Sequence, residues 1–217
     1  MREYLITDAK CLKLDLAIPH LQILEEAKNL RSWFVKYRDS ETEYQHQGWH
    51  SLSLYGLAHN LPGSYESYGY PDGESAGRDY VWTKAAELCP ITYKWLNEVF
   101  PSNKFGRVRF MLLESGGHIS PHTDAPISHI EPVNIALHNP TECVWHWGDG
   151  STLDFKNGDV YAMNIGIEHS IVNNSQEDRY HLIIHHHDST DEWKTLLIDA
   201  MEKYEVTGTF VYNSFLY

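Results

Sequence analysis

From residue 106 onward the chain is written in short β-type runs, "RVRFMLLE", "EPVNIALH", "ECVWHW", "STLDFK", "DVYAMN", "HSIVN" and "RYHLIIHH", each cut off by turn residues. Short strands at even spacing cannot each bury a face alone, and they lead to a sandwich or a barrel-like jelly roll. Residues 105–188 are therefore expected to form a β core.

Helical periodicity lies outside that core. "PHLQILEEAKNLRSWFVKY", residues 19–37, spaces Leu21, Ile23, Leu24, Ala27, Leu30, Trp33 and Phe34 mostly three and four apart. Residues 80–100 read the same way, with Pro90 breaking them into two shorter helices. "STDEWKTLLIDAMEKY", residues 189–204, is a capped helix. Between the first two patterns, residues 39–79 are rich in Gly, Ser, Tyr and His and show one strand, "GWHSLSLYG". Such a loop often walls a binding site, and Tyr65, Tyr68 and Tyr70 are its candidates. The expectation is one domain over 1–217: helices and aromatic loop (1–104), β core (105–188), and a C-terminal helix and tail (189–217). Neither repeats nor low-complexity tracts occur.

Composition narrows the partners. A net charge of -13, with 17 Lys and Arg forming no stripe, disfavours a nucleic-acid backbone. The segment "MREYLITDAKCLKLDLAIPH" is interrupted by charges, and no run approaches a membrane span, so an intracellular, cytoplasmic location is expected. Cys11, Cys89 and Cys143 are far apart and in no CxxC pattern, leaving His and carboxylate as the metal ligands available.

With 14 His and 13 Asp in 217 residues, a His-x-Asp pair should arise close to once by chance, and it arises twice. "GGHISPHTDAP" holds His122 and Asp124; "HHD" holds His186 and Asp188. An open catalytic metal site wants a third ligand, and two His with one carboxylate is the set used for non-haem iron(II) oxygenases. His169 in "GDVYAMNIGIEHS" is the best third ligand for the first copy. No histidine follows His187, so the second copy opens no such motif, and a solvated strand end is expected there. "HSIVNNSQEDRYHL" reads as a hairpin that sets Arg179 or His181 within a few residue rises of the metal, about the span of a small dicarboxylate. A guanidinium there can grip a carboxylate through two parallel hydrogen bonds while the other end of the molecule chelates the metal, which describes 2-oxoglutarate.

Gly116, His122, Asp124, Gly158, Gly166, His169 and Asn173 stand at the offsets of the two cupin metal motifs, with Asn164 where proline is usual. Together with Arg179, ten residues after His169, they resemble the iron(II)- and 2-oxoglutarate-dependent oxygenases. "GDVYAMNIGIEHSIVNNSQEDRYHLIIH" is similar to the aspartyl/asparaginyl β-hydroxylase-like group, which includes bacterial proline hydroxylases. The group's Arg-x-His after the His-x-Asp loop is replaced by Asn134-Ile135-Ala136. The resemblance implies a mainly β double-stranded β-helix (cupin-like jelly roll) with flanking α-helices. It implies that His122, Asp124 and His169 hold Fe(II) and that Arg179 anchors 2-oxoglutarate, with His181 and Asn134 as further cofactor contacts. O2 would be the co-substrate, an amino acid or a peptidyl or protein residue would be hydroxylated, and succinate and CO2 would be released.

The plainer readings are specific. His118, His129, His138 and His146 are expected as surface or hydrogen-bonded residues, and Trp145, Trp147 and Met163 as core packing. His185 or His187 would sit near the pocket mouth. The rival to an oxygenase is a cupin that binds a metal and a small ligand for isomerisation, sensing or storage, and Arg179 is the residue such a protein would not need.

Overall fold

A computed structural model describes residues 2–37, 46–71, 73–102, 104–125, 129–187 and 190–213. Strands β1 (Arg2–Ile6) and β2 (Cys11–Lys13) lead to helix α1 (His20–Asn29). Then follow β3 (Val35–Lys36), β4 (His46–Gly56), the single turn α2 (Gly73–Ala76), β5 (Val81–Trp82), α3 (Lys84–Glu87) and α4 (Pro90–Glu98). The second half comprises β6 (Phe105–His122), β7 (Val133–His138), β8 (Cys143–Trp147), β9 (Thr152–Leu153), β10 (Val160–Met163), β11 (His169–Asn173) and β12 (Arg179–His186). Helix α5 (Asp191–Lys203) and β13 (Thr209–Asn213) follow.

All seven sequence-read runs after residue 106 are strands. The first is longer than expected, because the Gly116-Gly117 pair is a bend inside one 18-residue strand and not a turn that ends it. Gly116 takes φ +72°, and a Cβ on Gly117 would lie 2.7 Å from the Gln47 carbonyl oxygen and 2.8 Å from that of Glu114. Only glycine admits that approach of backbones. The first half of β6 pairs with β12 on one edge and β4 on the other, in a sheet that continues β12-β7-β10-β2. Its second half pairs with β11 in the run β6-β11-β8-β9. One bent strand thus feeds two sheets, giving a double-stranded β-helix, mainly β, with helices packed on one side.

"HSIVNNSQEDRYHL" is not a hairpin. Strand β11 runs along β6 from His122 towards His118, and β12 continues the same way from Leu113 to Phe105. With β4 paired to both halves of β6, the two lie end to end on the opposite edge, as one interrupted strand. Asn173 pins the interruption by donating to the carbonyls of Leu113, Glu114 and Glu177.

Alternation sorts the side chains. Phe110, Leu112, Val133, Ile135, Leu182 and Ile184 face the helices, in one core with Ile23 and Ala27 of α1, Trp95 and Leu96 of α4, and Leu197 of α5. Met111, Ala136, Trp145, Phe155, Tyr161 and Met163 form a second core with different members. Helix α1 stops well before residue 37, because Val35 and Lys36 are taken into pairing with Ser51 and His50. Pro90 stands at the first turn of α4, where its missing N–H costs nothing, and the α1 carboxylate Glu26 accepts the next two N–H groups, from Ile91 (2.7 Å) and Thr92 (2.9 Å). The pairing of β1 with β13 was not legible as strands in the sequence.

Candidate metal centre and its cavity

His122 ends β6 and His169 begins β11, and the two are direct cross-strand partners. The bend at Gly116 delivers the first, and the turn at Gly166 precedes the second. Asp124 is held beside them by its own N–H, which donates to the Ile165 carbonyl at 2.9 Å. One ligand atom from each of the three lies within 4.8 Å of the others. The nearest Asp124 oxygen is 3.6 Å from His122 Nε2 and 3.8 Å from His169 Nε2.

The donor set fits a metal. His122 Nδ1 lies 2.8 Å from the Ser120 carbonyl and His169 Nδ1 lies 2.9 Å from the Ile167 carbonyl. A carbonyl only accepts, so each Nδ1 carries the hydrogen and each Nε2 presents a lone pair toward Asp124. Burial lowers the His169 pKa, and nearby His122 adds to this, so the ring stays neutral as a ligand must. Trp145 stacks on it, 4.8 Å between centroids and 6° between planes. His186 stands elsewhere, on the helix side of the sheet between Phe100 and Trp193, buried and not at a solvated end as expected. His187 is exposed, and Asp188 lies outside the described residues.

The three residues open into a cavity of about 260 Å³ that Arg179, Asn134, Trp145 and Met163 also line. Arg179 is 3% exposed, and among the described residues no carboxylate lies within ion-pair distance of it. Burial lowers its pKa to about 10, which leaves the guanidinium charged at neutral pH. Its Nε donates to Asn139 Oδ1 (3.2 Å) and its Nη2 meets His181 Nδ1 (2.9 Å). The other ring nitrogen of His181, Nε2, lies 3.3 Å from the same Asn139 oxygen. Asn134 Oδ1 lies 2.6 Å from His181 Nδ1. His181 itself does not line the cavity; it stands behind Arg179 and Asn134, fully buried.

Several lining residues were not anticipated. Tyr37, Trp49, Arg107, Arg109, His129 and Glu131 all reach the cavity; His185, expected near the pocket mouth, also lines it, whereas Tyr65, Tyr68 and Tyr70 do not. Tyr65 instead stacks on Tyr80, 4.3 Å between centroids. Residues 39–45 and 72 of that loop lie outside the described residues. The signal available for the arginines was alternation: in "RVRFMLLE", Arg107 and Arg109 share a phase with Met111, on the inner face.

His185 yields a stability prediction. Burial holds its pKa down to about 4, with Arg107 and Arg109 adding to this and Glu131 opposing it. Between about pH 6.5 and 4 the unfolded chain takes up a proton that the folded protein refuses, so stability is present above this window and falls as pH drops through it. Denaturant titrations should show the wild type losing about 3 kcal/mol more than His185→Gln between pH 6.5 and 4. Parallel losses in the two proteins would mean that His185 titrates normally.

The jelly-roll core thus opens a His-Asp-His cluster into its cavity. The family model described as Aspartyl/Asparaginyl beta-hydroxylase matches residues 19–189, and the chain belongs to that family. It is a hydroxylase-class oxidoreductase. No curated protein matches it. Solved structures similar to it include the Pseudomonas putida prolyl-4-hydroxylase, at 10% identity and TM-score 0.46, covering 84% of this chain and 95% of that one. The OsALKBH1 structure is similar at 12% identity and TM-score 0.45, covering 82% and 97%. A viral collagen prolyl hydroxylase from Paramecium Bursaria Chlorella virus-1, in its 2OG complex, follows at 11% and 0.41, covering 82% and 95%. Among the described residues no helix is long and apolar enough to cross a membrane.

Proposed function

We propose that this protein is an iron(II)- and 2-oxoglutarate-dependent hydroxylase acting on an amino acid or a peptidyl or protein residue, with succinate and CO2 as co-products. The observation that carries the reading is Arg179: a buried cation with no carboxylate beside it among the described residues, in the same cavity as His122, Asp124 and His169. A guanidinium so placed stays uncompensated unless a ligand brings the anion. A cupin that merely binds a metal has no use for it.

In this reading His122, Asp124 and His169 present two neutral nitrogens and one carboxylate to iron(II). Arg179 receives the distal carboxylate of 2-oxoglutarate. His181 and Asn139 fix the plane of its guanidinium, and Asn134 adds a polar contact from the neighbouring strand. The bound iron and 2-oxoglutarate supply the oxidising chemistry for C–H hydroxylation with O2. Trp145, Met163 and Ile171 keep the walls apolar and limit water.

Anaerobic addition of iron(II) and 2-oxoglutarate together should give a weak visible absorption band that neither gives alone. Together they should raise the melting temperature beyond the effect of iron alone, and admitting oxygen should release succinate slowly. An iron-loaded protein with no band and no 2-oxoglutarate-dependent stabilisation would favour the metal-binding cupin.

A further inference from the structure

The cavity has a second charged pole. On the inner face of the larger sheet, Arg109 stands four residues before Leu113, the cross-strand partner of Arg179, and so about 13 Å from it along the strands. Arg109 is 4% exposed. It donates to the Pro62 carbonyl (3.2 Å), meets His185 Nε2 (3.1 Å) and lies 5.0 Å from the centre of the Tyr37 ring. Its Nε is buried with no hydrogen-bond partner, and among the described residues no carboxylate comes within ion-pair distance. On the other side of the His185 ring is a carboxylate: Glu131, 5% exposed, 3.5 Å from His185 Nδ1. Both Arg109 and Glu131 line the cavity that holds the metal cluster.

We propose that this pole is the substrate receptor, with Arg109 taking the α-carboxylate and Glu131 the α-ammonium of a free amino acid. The inference rests on the hydroxylase reading and names the substrate class of that same site. Two opposite charges held one imidazole apart complement a zwitterion, whose own charges are separated by a single carbon. An internal peptide residue carries neither charge, and it would bring no counter-charge to the buried guanidinium or to the buried carboxylate. Rejection by unpaired polar groups is the stronger form of selectivity. The cavity, about 260 Å³, lies at the small end of ligand sites, which suits two small acids and not a length of polypeptide.

The test offers the protein, loaded with iron(II) and 2-oxoglutarate, the twenty L-amino acids, their N-acetyl derivatives and their carboxamides. Succinate release is measured in air and melting temperature under anaerobic conditions. At least one free amino acid should raise both, and blocking either end should weaken the response roughly 30-fold or more. Arg109→Met and Glu131→Gln should each lose the amino-acid response while keeping the 2-oxoglutarate-dependent stabilisation, which also shows that they fold. Equal use of blocked forms, silence of all free amino acids, or an intact response in both variants would overturn the receptor. Absence of 2-oxoglutarate stabilisation in the wild type would instead overturn the hydroxylase reading. In that case the receptor stands or falls on whether a free amino acid alone shifts the melting temperature.

Discussion

Replacing His122, Asp124 or His169 by Ala should weaken iron(II) binding by more than roughly 100-fold and abolish turnover. Each supplies one of three donor atoms within 4.8 Å, and among the described residues no other cluster of His, Cys, Asp or Glu offers a substitute. The fold should survive, because the three side chains line a cavity and none packs under the helices. His186→Ala, in the other His-x-Asp, should do the reverse. Its ring is wedged between Phe100 and Trp193 on the helix side, 5.5 and 4.5 Å from their centroids, so truncation should cost about 2 kcal/mol of stability with metal affinity unchanged. Metal titration followed by calorimetry, with a denaturation curve for each variant, separates the two behaviours. Loss of metal from His186→Ala at full stability would mean that the wrong pair had been chosen.

The second large effect is at Arg179, where stability and function should part company. Arg179→Met removes a buried cation that has no anion beside it among the described residues, so the ligand-free variant should be at least as stable as the wild type. Its affinity for 2-oxoglutarate should fall by about 2–4 kcal/mol, roughly 30- to 1000-fold, with iron binding retained. Arg179→Lys keeps the charge but loses the planar fork whose two separate nitrogens meet Asn139 and His181; most of the affinity should still be lost. Equilibrium titration of 2-oxoglutarate onto the iron-loaded variants decides this. Unchanged affinity in Arg179→Met would move the carboxylate anchor to another residue of the cavity.

Sequence carried the β core well, because alternation and turn residues are local signals. The seven strands from β6 to β12 were legible, as was the meeting of His122, Asp124 and His169, whose spacing the glycines punctuate. The failures are of one kind, pairing with distant partners. Residues 35 and 36 continue a helical pattern yet are drawn into a sheet by Ser51 and His50. The stretch from His169 to His186 has the length and turn of a hairpin, but both strands find β6 before each other. His186 looks polar and terminal, and only the helices Pro90–Glu98 and Asp191–Lys203, brought over the sheet, make its place a core position. Arg109 was overlooked because an arginine inside a hydrophobic run reads as an edge or a surface residue. Its burial depends on β4 and β12 closing on either side.

The interrupted strand that runs the length of β6 also sets an order of events. Strand β6, residues 105–122, carries one candidate metal ligand, yet its partners on that edge lie at residues 169–173 and 179–186. Loops of that size are closed late in folding, because their entropy is lost before their contacts are gained. A chain growing from its N-terminus therefore holds His122 and Arg109 for about sixty residues of synthesis before the edge that bears His169 and Arg179 exists. Throughout that interval the centre has at most two of its three ligand residues, and the guanidinium that would receive a dicarboxylate has not been made. The nascent chain thus cannot assemble a three-ligand metal site until β11, which bears His169, can close it.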